Sequence, residues 1–199
     1  MGRISDRFDL EKQVVFYMSY HHNPVNQWIH FACIWPILIT AACMLAESDP
    51  IVDQPAFLKD LPYGQYMIIN YSAVASAIFM SWYMLLDIMA GTLGAALVFA
   101  SYLFANYFSQ NAPALFGVPA WQIALPVHVI AWILQFIGHG VFERRKPALL
   151  DSLDQAVITA PMFVLLEVLF SLGYRPKLFK RVMQQVEVNV AAFHGKKAL

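Results

Sequence analysis

From Trp28 to Ala46 the chain reads W-I-H-F-A-C-I-W-P-I-L-I-T-A-A-C-M-L-A, without one charged side chain. A run of that length and polarity is long enough to cross a bilayer as a helix. Further apolar runs follow at Gln65–Leu86, about Met89–Phe108 and Trp121–Val141, with a fifth over 155–173 that contains Pro161 and Glu167. Composition agrees, because 59% of the 199 residues are hydrophobic and only 13% are charged, about half the charged share of a soluble domain. Such a chain has too little polar surface to cover a water-soluble globule. The expected fold is all-α: an integral membrane helical bundle of four spanning helices plus one re-entrant or interfacial apolar helix.

Charge placement selects that topology. Basic residues gather in the N-terminal flank (Arg3, Arg7, Lys12), in the loop after the fourth span (Arg144, Arg145, Lys146) and in the tail (Arg175, Lys177, Lys180, Arg181, Lys196, Lys197). The 47–64 loop holds Lys59 alone. Five crossings would put the tail and the 143–150 loop on opposite sides, which the positive-inside rule disfavours. Four crossings, with 155–173 re-entering or lying flat, put every basic cluster in the cytosol.

The chain reads as one membrane-embedded domain over 1–199. Residues 1–20 supply an amphipathic surface helix, and 174–199 a basic cytosolic tail. The first 25 residues lack the apolar centre of a signal peptide, and Met1-Gly2 fits a myristoylation signal poorly because Asp6 stands at the Ser/Thr position. Loops are expected at 47–64 and 109–120, where proline and polar residues cluster. Thirteen basic and thirteen acidic residues cancel, so nothing indicates a nucleic-acid partner. Cys33 and Cys43 lie about 15 Å apart on one helix, too far to pair. No oligomeric state is implied.

Polar chemistry concentrates in two stretches. Tyr20–His30 reads Y-H-H-N-P-V-N-Q-W-I-H. Asn23-Pro24 is a helix start, which leaves His21 and His22 just outside the helix and His30 about two turns inside it. Gln135, His139 and Glu143 follow at i, i+4 and i+8, on one helix face. In the four-span arrangement both stretches fall at the cytosolic ends of the first and fourth spans. Ionisable groups inside membrane segments are expensive and mark functional sites by default. Neutral imidazoles with a carboxylate suit iron(II) or zinc, and two histidines with one carboxylate typify non-haem iron oxygenases. The plainer reading, histidines that only join helices, stands beside this one. His128 is a separate question, since eleven residues from His139 is about 16 Å on a straight helix. Both reach one ion only if the span is interrupted between Trp132 and His139.

The pair H-H-N-P-V-N-Q-W-I-H (21–30) and W-I-L-Q-F-I-G-H-G-V-F-E-R-R-K-P-A-L (132–149) resembles the 2-hydroxy fatty acid dioxygenase family of the endoplasmic reticulum membrane. The resemblance covers essentially the whole chain. It implies an iron(II)-dependent enzyme that uses O2 to shorten long-chain 2-hydroxy fatty acids by one carbon, in the α-oxidation that degrades phytosphingosine. It also implies metal ligands at His21, His30, His128 and His139, with His22 in the variable position of H-x-N. Glu143 and Gln135 are then candidate catalytic residues. Arg144, Arg145 and Asn26 are candidates for binding the substrate, Gln135 or Asn26 can orient ligands, and the basic loop can equally serve topology alone. A non-enzymatic lipid-binding or scaffold protein with structural histidines is the competing class.

Overall fold

Four of the helices start on a side chain that accepts free backbone N–H groups of the first turn. In the computed structural model, which describes residues 4–146 and 154–197, no strand occurs among the described residues. Helix α1 (Leu10–Tyr20) begins at Asp9, whose carboxylate accepts the Lys12 N–H. Helix α2 (Pro24–Ala46) begins at Asn23, which accepts from Val25 and Asn26, with Pro24 in the first turn. A short helix α3 (Ala56–Lys59) lies in the following loop. Helix α4 (Tyr71–Leu86) is capped by Asn70 and α5 (Ile88–Phe116) by Asp87. Helix α6 (Ala120–Ile137) continues directly as a π-helix over Gly138–Glu143. A second π-helical stretch (Asp154–Thr159) leads into α7 (Ala160–Ser171), and α8 (Pro176–Lys197) ends the described chain.

Two boundaries differ from those read in the sequence. The loop placed at 109–120 is helical as far as Phe116, and only residues 117–119 turn. Polar side chains there find backbone acceptors instead of breaking the helix: Asn111 donates to the Tyr107 carbonyl, Gln110 to that of Gln65 and Ser109 to that of Ala46. Gly117, at φ 73°, ends the helix. The second apolar segment, placed from Gln65, becomes α-helical only at Tyr71.

Helices α2 and α5, and the continuous helix Ala120–Glu143, are long and apolar enough to cross a membrane. Helix α4 is apolar but only 16 residues long, about 24 Å against a hydrocarbon core of about 30 Å. Outward positions such as Leu85, Ile88, Leu93, Phe104, Ile130 and Ile133 are exposed, as a lipid-facing surface requires. The chain is an all-α membrane bundle.

Helices α4 and α5 approach closely because Gly91 and Gly94 have no side chain. A Cβ at Gly91 would meet the Tyr83 backbone, and one at Gly94 would meet the Tyr83 ring and the Met162 sulfur. Tyr83 is wholly buried by that contact, the small-residue packing that membrane helices use.

Helix α7 is the core of the other half. Met162, Phe163 and Leu166 are buried against Val14, Tyr17 and Met18 of α1 and Leu178, Val182 and Val186 of α8, while Val164 packs with Ile34 of α2. The axes of the α7 and α8 segments differ by 115°, so the chain does not run on as one straight span. Its turn is anchored at Asp87, whose carboxylate accepts the Tyr174 hydroxyl at 2.8 Å and pairs with Arg175 at 2.9 Å.

The terminal helices meet each other. Arg181 forms a forked pair with Glu11, and Asn189 donates to the Ser19 hydroxyl. Arg145 donates to the Ser19 carbonyl and stacks over Tyr20 and Phe193. Arg145 of the basic loop and Arg181 of the tail thus both meet α1. Arg3 and residues 147–149 of the second motif lie outside the described residues, as does Met1-Gly2.

Asp87 caps α5 through Ala90 while holding Tyr174 and Arg175. Asp87→Ala is expected to destabilise the protein by about 2–3 kcal/mol, from a lost cap and lost charge-assisted hydrogen bonds. Thermal unfolding in detergent measures this, with Asp87→Asn expected to lose less.

Candidate metal centre

The end of α1, the start of α2 and the π-helix after α6 each contribute one buried histidine to a single point. His21 is the C-cap of α1, His30 lies in the second turn of α2, and His139 lies in the π-helix. One ligand atom from each lies within 4.8 Å of the others, close to the span of two metal–nitrogen bonds of ~2.1 Å. All three residues are at least 95% buried. A π-helical turn is an uncommon winding found frequently at functional sites.

Hydrogen bonding fixes the tautomers of two of them. His21 Nδ1 is 2.7 Å from the Tyr17 carbonyl, and His30 Nδ1 is 2.8 Å from that of Asn26. A carbonyl oxygen only accepts, so each Nδ1 carries a proton and each Nε2 presents a lone pair. Those two Nε2 atoms face each other at 3.0 Å. Two lone pairs in that position repel unless a cation lies with them. A shared proton is disfavoured, because burial first, and then His30 and His139, hold the His21 pKa well below its ordinary value. His139 Nδ1 is buried without a hydrogen-bond partner. Neutral imidazoles whose other nitrogen is held by a backbone carbonyl are the usual form of metal-binding histidine. The donor set fits a metal of the iron or zinc type.

Glu143 is not part of this group. Its carboxylate accepts the backbone N–H groups of His22 at 3.1 Å and Asn23 at 2.9 Å, and the Asn26 side-chain amide at 3.1 Å. It therefore clamps the π-helix to the N-terminus of α2, where a negative charge is favoured. Asn26 is fully buried between Glu143 and Gly138, and a Cβ at Gly138 would collide with its side-chain oxygen. His22 is exposed.

His128 also lies outside the group. The helix is continuous from Ala120 to Ile137, and its change of winding at Gly138 makes no break. The interruption that would carry His128 to His139 is therefore absent. Both His128 nitrogens are engaged instead: Nδ1 lies 2.9 Å from the Thr40 hydroxyl, and Nε2 accepts the Trp132 indole N–H at 3.0 Å. Of the basic loop, Arg145 is held by Ser19, Tyr20 and Phe193, while Arg144 is exposed, at φ 53°.

The triad opens on a cavity of about 270 Å³ whose walls include Ile34, Ile37, Phe136 and Ala160. Gln135 and Tyr17 add polar atoms to it, since Gln135 Nε2 and the Tyr17 hydroxyl are buried with no partner. Tyr17 stacks on His21 with ring centroids 4.1 Å apart. The sequence reading passed over Tyr17, although it precedes His21 by four residues and so shares its helical face.

Removing the Glu143 clamp leaves three donors without their acceptor. Glu143→Ala is expected to weaken metal binding about 10–100-fold, as loss of a ligand-orienting group does, without abolishing it. Metal content after dialysis against graded chelator checks this; complete loss of metal would instead make Glu143 a ligand.

Comparison with known proteins agrees with the residues. The chain is 34% identical over 181 residues to the 2-hydroxy-palmitic acid dioxygenase MPO1 of Saccharomyces cerevisiae, covering 91% of each chain. No solved structure matches it. A family model described as 2-hydroxy-palmitic acid dioxygenase Mpo1-like matches residues 8–172, a stretch that contains the whole histidine triad, and the chain belongs to that family.

Proposed function

We propose that this protein is an iron(II)-dependent dioxygenase that shortens long-chain 2-hydroxy fatty acids by one carbon, with His21, His30 and His139 as the metal ligands. The observation that carries the reading is the pair of Nε2 lone pairs facing at 3.0 Å, with both Nδ1 protons committed to carbonyls. Helix joining alone does not account for that pair, because two acceptors do not bond to each other. Family membership supplies the substrate class: the yeast relative is named for 2-hydroxy-palmitic acid.

Ferrous iron, when bound, supplies the one-electron chemistry that dioxygen needs to react with a closed-shell organic acid. The rest is done by the chain. A 2-hydroxy acid brings a carboxylate and a hydroxyl on adjacent carbons, and both need partners inside an apolar cavity. Gln135 Nε2 donates to one oxygen, and the Tyr17 hydroxyl serves a second; both are unpaired at the cavity wall. Fixing the head beside the triad removes translational freedom before reaction. The surrounding apolar walls exclude water. The overall change balances with one O2 taken up: the carboxyl carbon leaves as CO2, the hydroxyl-bearing carbon becomes the new carboxylic acid, and one water forms.

In this reading Glu143 and Asn26 position the ligands rather than touch substrate. Arg145 secures the terminal helices, and Arg144, exposed just after the π-helix, is assigned to steering the anionic head. His128 is assigned outside the ligand set. The endoplasmic reticulum membrane is the location the family resemblance implies, and a cytosolic triad is supported by Arg145 and Arg181 gathering on α1, which ends at His21.

Protein purified in detergent and loaded anaerobically with iron(II) is expected to hold one iron per chain. Given air and 2-hydroxy-palmitic acid, it is expected to yield the acid one carbon shorter. His21→Ala, His30→Ala and His139→Ala should each abolish iron retention and turnover, whereas His22→Ala and His128→Gln retain iron. Wild-type protein that folds but neither retains iron nor turns over substrate would favour the scaffold reading. Tags at Lys12, in the 143–150 loop and on the tail are expected to be cytosolic in sealed microsomes. A lumenal tail would overturn that orientation.

A further inference from the structure

The cavity at the triad is too small for the whole of its proposed substrate. Pockets that enclose a drug-sized ligand run to roughly 300–1,000 Å³, and this one is about 270 Å³. A second hollow of about 70 Å³ adjoins it and shares three wall residues, Leu38, Ala41 and Phe79. Beyond that neck its wall is formed by residues that include Leu45, Ala75 and Ser76, and no charged residue lines it.

One face of α2 connects the two. His30 and Ile34 lie at the triad end of the first hollow, Leu38 and Ala41 at the neck, and Leu45 at the far end of the second, a stripe with helical spacing. His30 to Leu45 is about 22 Å at the α-helical rise. One leaflet of the hydrocarbon core, filled by a single lipid acyl chain, is about 15 Å. A chain of palmitic length thus fits along this stripe when its head is at the triad.

We infer that the groove between α2 and α4 is the acyl subsite of the enzyme, and that Ala75, Ser76 and Leu45 set the chain length it accepts. The inference rests on the 2-hydroxy acid reading for its occupant, and on the three wall residues the two hollows share for its path. Ala41 and Ala75 leave room for methylenes where α2 and α4 face each other. Phe79 forms the gate between head and tail sections. A bulky side chain at Ala75 blocks the distal section, while a smaller one at Leu45 lengthens it.

The direct test is a 2-hydroxy acid of palmitic length carrying a diazirine at its terminal carbons, photolysed on wild-type protein in detergent. Labelled peptides spanning 38–45 and 71–79 are expected. Label confined to α6, or to the outer surface of the bundle, overturns the subsite and leaves the groove to bilayer lipid. In parallel, Ala75→Phe is expected to lower the ratio of kcat/KM for the palmitic-length acid to that for an eight-carbon acid at least about tenfold, the discrimination an apolar pocket gives for small changes in size. Leu45→Ala is expected to raise the ratio for acids longer than palmitic. Unchanged ratios in both variants overturn the inference. Should Ala75→Phe not fold, Leu45→Ala and the photolabel still decide. Labelling needs no turnover, so wild-type protein that labels at 38–45 without converting any 2-hydroxy acid refutes the proposed reaction and upholds the groove.

Discussion

The carboxylate of Glu143 is the contact on which the site depends. It joins the end of the last long apolar helix to the beginning of the first, by accepting two backbone N–H groups and one side-chain amide at the N-terminus of α2. Those N–H groups have no partner within their own helix, and an anion there is favoured by the helix dipole. With the two helix ends locked together, His139 meets His30 with ring centroids 4.9 Å apart, and His21 joins both from the end of α1. A histidine triad spread over more than a hundred residues of sequence is thereby held by one clamp, with Gly138 allowing Asn26 to pack beneath it.

The second constraint is the lid. Helix α7 is apolar, yet its C-terminal turn is tied to Asp87, between α4 and α5, and α8 then turns away to cover α1. Ala160 and Pro161 at its start wall the cavity, while Phe163 packs against Tyr17, which stacks on His21. The amphipathic ends, read in the sequence as a surface helix and a tail, close on each other through Glu11–Arg181 and Ser19–Asn189. The exposed ion pair contributes little by itself. The buried faces of α1 and α8 against α7 contribute far more, at about 25 cal/mol per Å² of apolar area removed from water.

Much of this was legible because apolar length and helical spacing are properties of the chain itself. The long apolar helices and the Asn23-Pro24 start needed only composition and a period of 3.6, whereas the π-helical winding of Gly138–Glu143 takes Glu143 off the α-helical face that its spacing from Gln135 and His139 suggests. Partner assignment was not legible. Nothing in the residue order says that Glu143 spends its oxygens on α2, since a free carboxylate at the same spacing would look identical. Tyr17 was overlooked because a tyrosine in an amphipathic segment reads as interface packing. The stretch 109–116 was read as loop from its polar residues, which in a membrane helix can satisfy the backbone of the preceding turn. Pro113 is likewise accommodated within α5, where the helix ends three residues later, at Phe116.

His128 shows how the same residue type answers two different requirements on one helix. A histidine deep in a span is costly unless both its nitrogens are used, and that condition can be met by a metal or by neighbouring side chains. Thr40 and Trp132 meet it here. Thr40 also donates to the Pro36 carbonyl at 2.7 Å, a carbonyl near the point where proline removes a helix N–H. The contact links α6 to α2 one turn beyond Pro36, and His128 lies on the wall of the cavity. His30 and Thr40 lie about 15 Å apart along α2, so one tie holds each end of the cavity: Glu143 near the histidine triad and His128 near the neck. A histidine that braces the cavity wall and a histidine that holds a metal would both matter to a reaction in that cavity, which is why iron retention, and not activity alone, separates the two roles.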